Sequence, residues 1–454
     1  MRSPRPRRRE LSPNTALIVY YLAAIALGTA LLTLPAASSH APLSFIDALF
    51  TATSAQCVTG LVVVDTGSDL SLFGQLVVLV LIQIGGLGVM TFSVLLFFYL
   101  RKGVSLRGRW IIHETLMHTP VASMGELVRT ILLFALLIEG AGALLLALAF
   151  IPEMGWTRGA YHALFHAVSA FCNAGFALFP NSLENYRGHP LVNLTIMALI
   201  ILGGIGFLVI REIFGCARAA ERKRLSLHSR LVLWTSAALI LGGAAMIFLL
   251  ERSLSLQGRP LGESLWIALF QSVTTRTAGF NTVDLGLFGT PTLFLMLFLM
   301  FIGASPGSCG GGIKTTSLAV FVALIVSRLR GSPHTTAFHR TIPEEHATKA
   351  LSLAMLALVL LGTAIFLLLA VQLPGQAFTD SHGEFLLYVF EAVSAFATVG
   401  LSLGGTAQLG DAGKLVIIVL MFVGRVGLLT VAFAIVRRLR SNAPRYGEEN
   451  IMIG

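Results

Sequence analysis

The sequence predicts an all-α membrane protein, with eight transmembrane helices and four re-entrant pore loops arranged as four parallel helix–pore loop–helix repeats of pseudo-fourfold symmetry. Three observations predict it. The chain of 454 residues is 55% hydrophobic and only 12% charged, with a mean hydropathy of +0.82; a soluble core could not bury so much apolar surface. Its basic residues gather at 2–9, 101–129, 211–230, 314–349 and 437–445, with long apolar stretches between. One construction also occurs four times: ALFTATSAQCVTGLVVVD around Gly60, ALFHAVSAFCNAGFALF around Gly175, ALFQSVTTRTAGFNTVD around Gly279 and YVFEAVSAFATVGLSLG around Gly400.

Taken in order, residues 1–14 form a basic N-terminus and 15–100 the first pore module. Its opening stretch, 15–34, has the roughly 20 residues a membrane crossing needs. The basic start looks like the head of a signal peptide, but no clean cleavage site follows. Residues 45–56 read as a short helix and 57–64 as an extended, β-branched segment. Together they are too short and too polar to cross, so a half-helix dips in and the chain climbs back out on the same side. A second span, 72–100, closes the module. After a loop at 101–126 the second module occupies 127–214, with spans at 127–151 and 191–214. A loop at 215–230 leads to the third module, 231–330, with spans at 231–250 and 292–329. A loop at 331–349 leads to the fourth, 350–440, with spans at 350–372 and 414–436, and 441–454 forms a tail.

Every basic cluster lies between modules or at an end of the chain, whereas 35–71 and 373–413 carry no Lys or Arg. The positive-inside rule therefore puts all five clusters and both termini in the cytoplasm, and gives each module an even number of crossings of the inner membrane. The formal charge of +10 is thus accounted for by topology, and no nucleic-acid partner is expected. Cys57, Cys172, Cys216 and Cys309 show neither metal-site nor redox spacing. The text around Gly310–Thr316 is not a phosphate loop, because Ile313 separates glycine from Lys314 and no soluble strand–loop–helix surrounds it. His162 and His166 lack a third ligand. No catalytic constellation is present.

An ion entering a membrane pore exchanges its water shell for other oxygens, and rings of backbone carbonyls supply them. Glycine allows the unusual backbone angles and keeps side chains out of the way. Gly60, Gly175, Gly279 and Gly400 are therefore the candidate narrowest ring, with adjacent carbonyls from Val58, Thr59, Asn173, Ala174, Thr277, Ala278, Thr398 and Val399. The alternative, packing points between helices, leaves the shared half-helix before each glycine unexplained. No carboxylate stands at these ring positions of the four loops, which argues for a monovalent cation, potassium first, held at filter carbonyls only. Asp65 and Asp284 are candidates for an outer mouth that concentrates cations, or are solvated loop carboxylates. Arg276 is expected behind the third loop, bracing it by hydrogen bonds. Glu139, inside LLIEGAG, is either a structural partner of an arginine or a coupling-ion ligand, and structure is favoured because it occurs in one module only.

Each second span carries a glycine motif: GGLG at 85–88, GGIG at 203–206, GASPG at 303–307 and GRVG at 424–427. Arg425 takes the place of a glycine there. In the third module SPGSCGGGIKTT, 305–316, interrupts the helix, and non-helical backbone at membrane depth belongs where it lines the permeation route. Ser305, Gly307, Gly310, Gly311, Gly312 and Lys314 of this loop, with Arg425, form the candidate gate. The alternative for Arg425 is a buried salt bridge that fixes helix register.

These residues resemble the Trk/Ktr/HKT superfamily of potassium and sodium transporters, and within it the Ktr-type membrane subunit. The resemblance covers essentially the whole chain and rests on ATSAQCVTGLVVVDT, AVSAFCNAGF, QSVTTRTAGFNTVD, GASPGSCGGGIKTT, AVSAFATVGLS and the ending RYGEENIMIG. It implies gated potassium uptake, a pseudo-fourfold pore in each chain, a membrane homodimer, and a separate cytoplasmic ring of nucleotide-binding subunits. Its filter glycines fall on Gly60, Gly175, Gly279 and Gly400, its gating loop on 305–316 and its gating arginine on Arg425. An intact Gly60 implies potassium, and sodium stimulation is a property of Ktr-type systems. No cofactor is expected in this chain; ATP, ADP or NAD would bind the partner, since no dinucleotide fingerprint is present. The competing class is an ion-coupled secondary transporter working by alternating access through Glu139 and the broken third-module helix. Inverted repeats of that class would alternate basic loops between the two sides, which these modules do not.

Overall fold

The computed structural model describes residues 13–102, 124–218, 224–377, 381, 383–428 and 430. The basic N-terminus, most of the 101–126 loop and the C-terminal tail fall outside the described residues, as does the end of the 414–436 span. The described chain is mostly helical. In order it runs α1 Pro13–Leu32, α2 Phe45–Gln56, α3 Leu72–Lys102, α4 Met124–Met154, α5 Trp156–Cys172, α6 Pro190–Ile205, α7 Phe207–Arg218, α8 Leu227–Glu251, α9 Leu261–Thr274, α10 Thr290–Phe301, α11 Thr315–Leu329, α12 Glu344–Gln372, α13 Glu384–Ala397 and α14 Asp411–Val426. A two-residue hairpin, β1 Thr336–Ala337 with β2 Arg340–Thr341, is the departure from all-α among the described residues.

Five helices are long and apolar enough to cross a membrane among the described residues: α1, α3, α4, α8 and α12. The bent pair α6–α7 makes a sixth if counted as one span. They show apolar side chains on the outside of the protein, as lipid-facing helices do; Leu27, Leu137, Leu148, Trp234, Leu249 and Phe366 are each more than 60% exposed. The shorter apolar helices α10 and α11 flank the interrupted stretch of the third module.

The half-helices α2, α5, α9 and α13 lie inside this shell. At about 1.5 Å per residue they reach only about 18–26 Å, short of a bilayer core. Their inner halves are buried without a break, as at Phe50 to Gln56 and Phe390 to Ala397. Ties between modules enclose them. Lys414 Nζ of α14 meets Asp47 Oδ1 of α2 at 2.6 Å, Tyr161 of α5 donates to Gln75 Oε1 of α3 at 3.0 Å, and Arg187 pairs with Glu263 of α9 at 2.9 Å.

Two segments show detail beyond the expected spans and loops. The predicted span at 191–214 is not straight: it bends by 100° between α6 and α7. The hinge is Gly206, with φ 97° and ψ 139°. A Cβ there would stand against the carbonyl of Pro306, and Phe207 N donates to Gly307 O at 3.1 Å instead of continuing the helical ladder. A segment a hundred residues downstream thus breaks this helix. Gly427 repeats the geometry at the end of α14, with φ 94° and ψ 132°. The 331–349 loop, in turn, carries the β1–β2 hairpin, which turns on Phe338 and His339 at φ 50° and 60°.

Candidate functional site

Each half-helix ends the same way. Its last turn gives way to a residue in the left-handed region, Val58 (φ 56°), Asn173 (φ 59°), Thr277 (φ 69°) or Thr398 (φ 52°). One ordinary residue follows, and then the glycine, with φ of 91° at Gly60, 71° at Gly175, 82° at Gly279 and 93° at Gly400. Left-handed Val and Thr cost energy that a loop without a task would have no reason to retain. Backbone bonds back to the half-helix enforce the turn: Thr59 N to Ser54 O at 2.8 Å, Ala174 N to Ser169 O at 2.7 Å, Ala278 N to Thr274 O at 3.0 Å and Val399 N to Ser394 O at 2.8 Å.

Side chains add to this. Ser54 Oγ accepts from Gly60 N at 3.1 Å and Ser394 Oγ accepts from Gly400 N at 3.1 Å. Ser169 Oγ donates to Phe176 O at 2.7 Å. These serines occupy one register, four residues after the phenylalanine that all four half-helices share; sequence reasoning missed them, although that register was there to be counted.

The four glycines meet in a closed cycle. A Cβ added to Gly60 would collide with the carbonyl oxygen of Ala174 and lie 3.0 Å from Gly175 Cα. On Gly175 it would be 2.7 Å from Ala278 O, on Gly279 it would collide with Val399 O, and on Gly400 with Thr59 O. Every glycine therefore abuts the carbonyl that precedes the glycine of the next module, and the fourth returns to the first. Thr59, Ala174, Ala278 and Val399 are buried, as are Gly60, Gly279 and Gly400, while Gly175 is half-buried. The C-terminal ends of α2, α5, α9 and α13 lead into this ring, and helix C-termini carry partial negative charge, which favours a cation there.

Directly against the ring's inner residues lies the loop 302–314, between α10 and α11. Gly311 N donates to Thr398 Oγ1 at 3.1 Å, and a Cβ on Gly310 would collide with Thr277 Oγ1. Thr277 in turn pairs with Asn173 at 3.2 Å. The loop is pinned on its other side to α6, through Ser305 N to Gly204 O and Cys309 N to Gly203 O, both 3.0 Å. It is tied internally by Ser305 Oγ with Thr315 Oγ1 at 2.9 Å and Ser308 Oγ to Ser305 O at 2.6 Å. Lys314 Nζ donates to Gly310 O at 2.7 Å, so this ammonium is spent on the loop's own carbonyls.

Arg425 is buried and has no carboxylate partner among the described residues. It donates to the Cys309 carbonyl of the loop, to Gly85 O of α3 at 2.8 Å and to Tyr21 Oη of α1 at 3.4 Å. Tyr21 itself donates to Gly85 O at 2.8 Å. A permanent cation thus fastens the loop to the first and fourth modules, with no salt-bridge partner among the described residues.

The other candidates are placed differently. Asp65 Oδ1 accepts from Gly67 N at 2.9 Å and Ser68 N at 2.7 Å, and Asp284 Oδ1 from Gly286 N at 2.9 Å, so both fold their own loops. Glu184, not anticipated, lies beside Asp284; burial, with Asp284's charge, pushes its carboxyl above the ordinary value. Arg276 is buried, and its Nε has no acceptor among the described residues. Glu139 is met by an amide rather than an arginine: Gln83 Nε2 donates to its two oxygens at 3.1 and 2.9 Å. His166 accepts from Leu178 N at 3.3 Å, and no group of three or more metal-ligating side chains is found among the described residues.

Residues 9–443 match the model of a family described as TrkH, cation transport protein. The chain belongs to this family. It is 42% identical to the Ktr system potassium uptake protein B of Bacillus subtilis, over 98% of this chain and 97% of that one. It is 40% identical to the potassium/sodium uptake protein NtpJ of Enterococcus hirae, over 98% of both. Among solved structures, the potassium transporter TrkH of Vibrio parahaemolyticus matches with a TM-score of 0.73 at 19% identity, covering 95% of this chain and 87% of that one. The family is described as one of cation transport proteins.

Proposed function

We propose that the protein takes up potassium across the cell membrane through the ring of Gly60, Gly175, Gly279 and Gly400, with the preceding carbonyls of Thr59, Ala174, Ala278 and Val399 replacing the ion's water. The cyclic closure of the four loops is the observation that carries this reading. The carbonyls are fixed by the half-helices behind them, so they need little reorganisation as the ion arrives. The near-full-length similarity to the Ktr system protein of Bacillus subtilis supports potassium as the cargo. The similarity to a potassium/sodium uptake protein makes sodium a second cation to test.

In this reading eight crossings surround four re-entrant loops, in the four modules set out above. They are α1, α3, α4, α6 with α7, α8, α10 with α11, α12 and α14. The termini and basic loops face the cytoplasm. Loop 302–314 with Lys314 and Arg425 is the gate: it packs against Thr398 and Thr277 at the inner end of the ring. Opening requires the loop to withdraw from Thr398 and Thr277, and the Arg425 bond to Cys309 restrains it. Chains of this kind would pair as homodimers on a cytoplasmic nucleotide-binding ring, which is where ATP, ADP or NAD would act.

Alternating access through Glu139 gains no support from the geometry, since its two oxygens are occupied by Gln83. The test is potassium uptake in cells lacking their own uptake systems, comparing the wild type with Gly60→Ser and Gly279→Ser. Unchanged uptake and unchanged potassium-over-sodium preference in both would remove the filter assignment.

A further inference from the structure

The four half-helices share a phenylalanine, Phe50, Phe165, Phe270 and Phe390, each fully buried. The residue after it differs in every module, being Thr51, His166, Gln271 and Glu391, and is buried in all four. A buried threonine, neutral imidazole, amide and carboxylate at one structural position have little in common as packing, yet three of them do the same thing. His166 Nε2 accepts from Leu178 N at 3.3 Å. Gln271 Nε2 donates to Thr282 Oγ1 at 3.5 Å. Glu391 Oε1 accepts from Ser402 Oγ at 2.5 Å and Leu403 N at 3.2 Å, while Oε2 accepts from Thr406 Oγ1 at 2.5 Å. Leu178, Thr282 and Leu403 each stand three residues beyond their ring glycine. The side chain thus reaches from the half-helix, behind the ring, to the segment that continues outward from it.

In the first module the reach fails. Thr51 Oγ1 has no partner among the described residues, and the outward segment there is held from elsewhere, by Asp65 and by Gln75 Nε2 to Gly67 O at 3.2 Å. Restraint is therefore graded around the ring and is greatest in the fourth module. Glu391 gathers three donors and also supports Gly405, whose added Cβ would lie 2.9 Å from Glu391 Cγ. A carboxylate inside a membrane protein, without a cation beside it, is expensive to keep unless those donors hold it.

We propose that this position is the brace that sets the outer half of the filter, and that Glu391 is its dominant positioning residue, acting through Ser402, Leu403 and Thr406 on the carbonyl line that runs outward from Gly400. The proposal rests on the filter reading of the glycine ring. A brace that slackens lets the outer carbonyls move apart or inward, so the filter discriminates less between cations of different size.

The test is uptake by Glu391→Ala, Glu391→Gln, Ser402→Ala and Thr51→Val, scored per molecule of protein in the membrane, with KM, maximal rate and potassium-over-sodium preference separated. Glu391→Ala is expected to raise KM for potassium and lower the preference by about tenfold or more, the scale of losing hydrogen bonds to a charged group. Glu391→Gln and Ser402→Ala should fall between it and the wild type, and their double variant should add little to Glu391→Gln. Thr51→Val should change nothing. If Glu391→Ala does not reach the membrane, Ser402→Ala and Glu391→Gln carry the test alone. Unchanged preference and KM per molecule in every variant that reaches the membrane, with only abundance altered, would overturn the proposal. Gly400→Ala, measured alongside, separates the two ideas. A lost preference there with an intact one in the Glu391 series sinks the brace only; an intact preference in both sinks the filter.

Discussion

Replacing Gly60 by alanine perturbs one quarter of the ring with the smallest side chain that can do so. Gly60 holds φ 91°, and its new Cβ would collide with the Ala174 carbonyl and stand 3.0 Å from Gly175 Cα. The backbone term alone is about 1–3 kcal/mol for a non-glycine residue held in such a region. The steric term adds to it, because the atom in the way is backbone and cannot swing aside. Relief comes by moving the Ala174 carbonyl, which is one of the four that would face the ion. If that strain falls on the ion-bound state, about 1.4 kcal/mol per factor of ten gives a loss of potassium affinity of roughly 5- to 150-fold. The assay is rubidium or potassium uptake in uptake-deficient cells, read as KM and as the ratio to sodium, with membrane abundance measured in parallel. Gly362→Ala is the matched control, since nothing lies within 4 Å of a Cβ there; it should behave as wild type. A Gly60→Ala protein with wild-type KM and wild-type ion ratio would refute the reasoning, because the collision is unavoidable if these loops abut as described.

Other consequences can be checked in the same cells or in purified protein. Arg425→Ala removes the bond from α14 to the Cys309 carbonyl of loop 302–314 and, if that loop is the gate, should raise basal flux several-fold in the absence of any regulatory partner; protein that reaches the membrane with unchanged basal flux would contradict the restraint. Glu139→Ala leaves Gln83's half-buried amide without its acceptor and should cost about 1 kcal/mol of stability, seen as a lower melting temperature, while Glu139→Gln keeps an acceptor and should retain potassium uptake; loss of uptake in a well-folded Glu139→Gln would revive a coupling-ion role. Glu184's carboxyl is raised by burial and by Asp284. Between the ordinary glutamate value of about 4.3 and that raised value the native state holds more protons than the unfolded one, so stability falls as pH rises through this window. Asp284→Asn removes part of the cause, and should flatten the melting temperature against pH there.

What the sequence made legible was local and repeated. Gly60, Gly175, Gly279 and Gly400 stand out because each follows the same apolar half-helix, and a requirement imposed four times leaves four marks. The break in the third module was also readable, since Pro306 and its glycines forbid helix and the structure ends α10 at Phe301 and restarts at Thr315. The remainder depends on distant partners. Gly206 looks like any packing glycine until Pro306 and Gly307 arrive beside it from another module. Arg425 invites a search for a carboxylate, whereas its acceptors are carbonyls of Gly85 and Cys309, and every residue type carries a carbonyl. The brace was hidden by diversity: Thr51, His166, Gln271 and Glu391 share a place, and their kinship shows only through what they touch. The Phe338–His339 turn lacks the Asn-Gly signal that such hairpins usually announce.

The central claim is that a cation rests on the axis enclosed by the four loops. Diffraction from crystals grown with rubidium in place of potassium tests it most directly. An anomalous peak is expected among the carbonyl oxygens of Thr59, Ala174, Ala278 and Val399, lost or displaced in the Gly60→Ala protein. A protein that transports rubidium yet shows no peak within that ring, or shows its peak at Glu139, would contradict it.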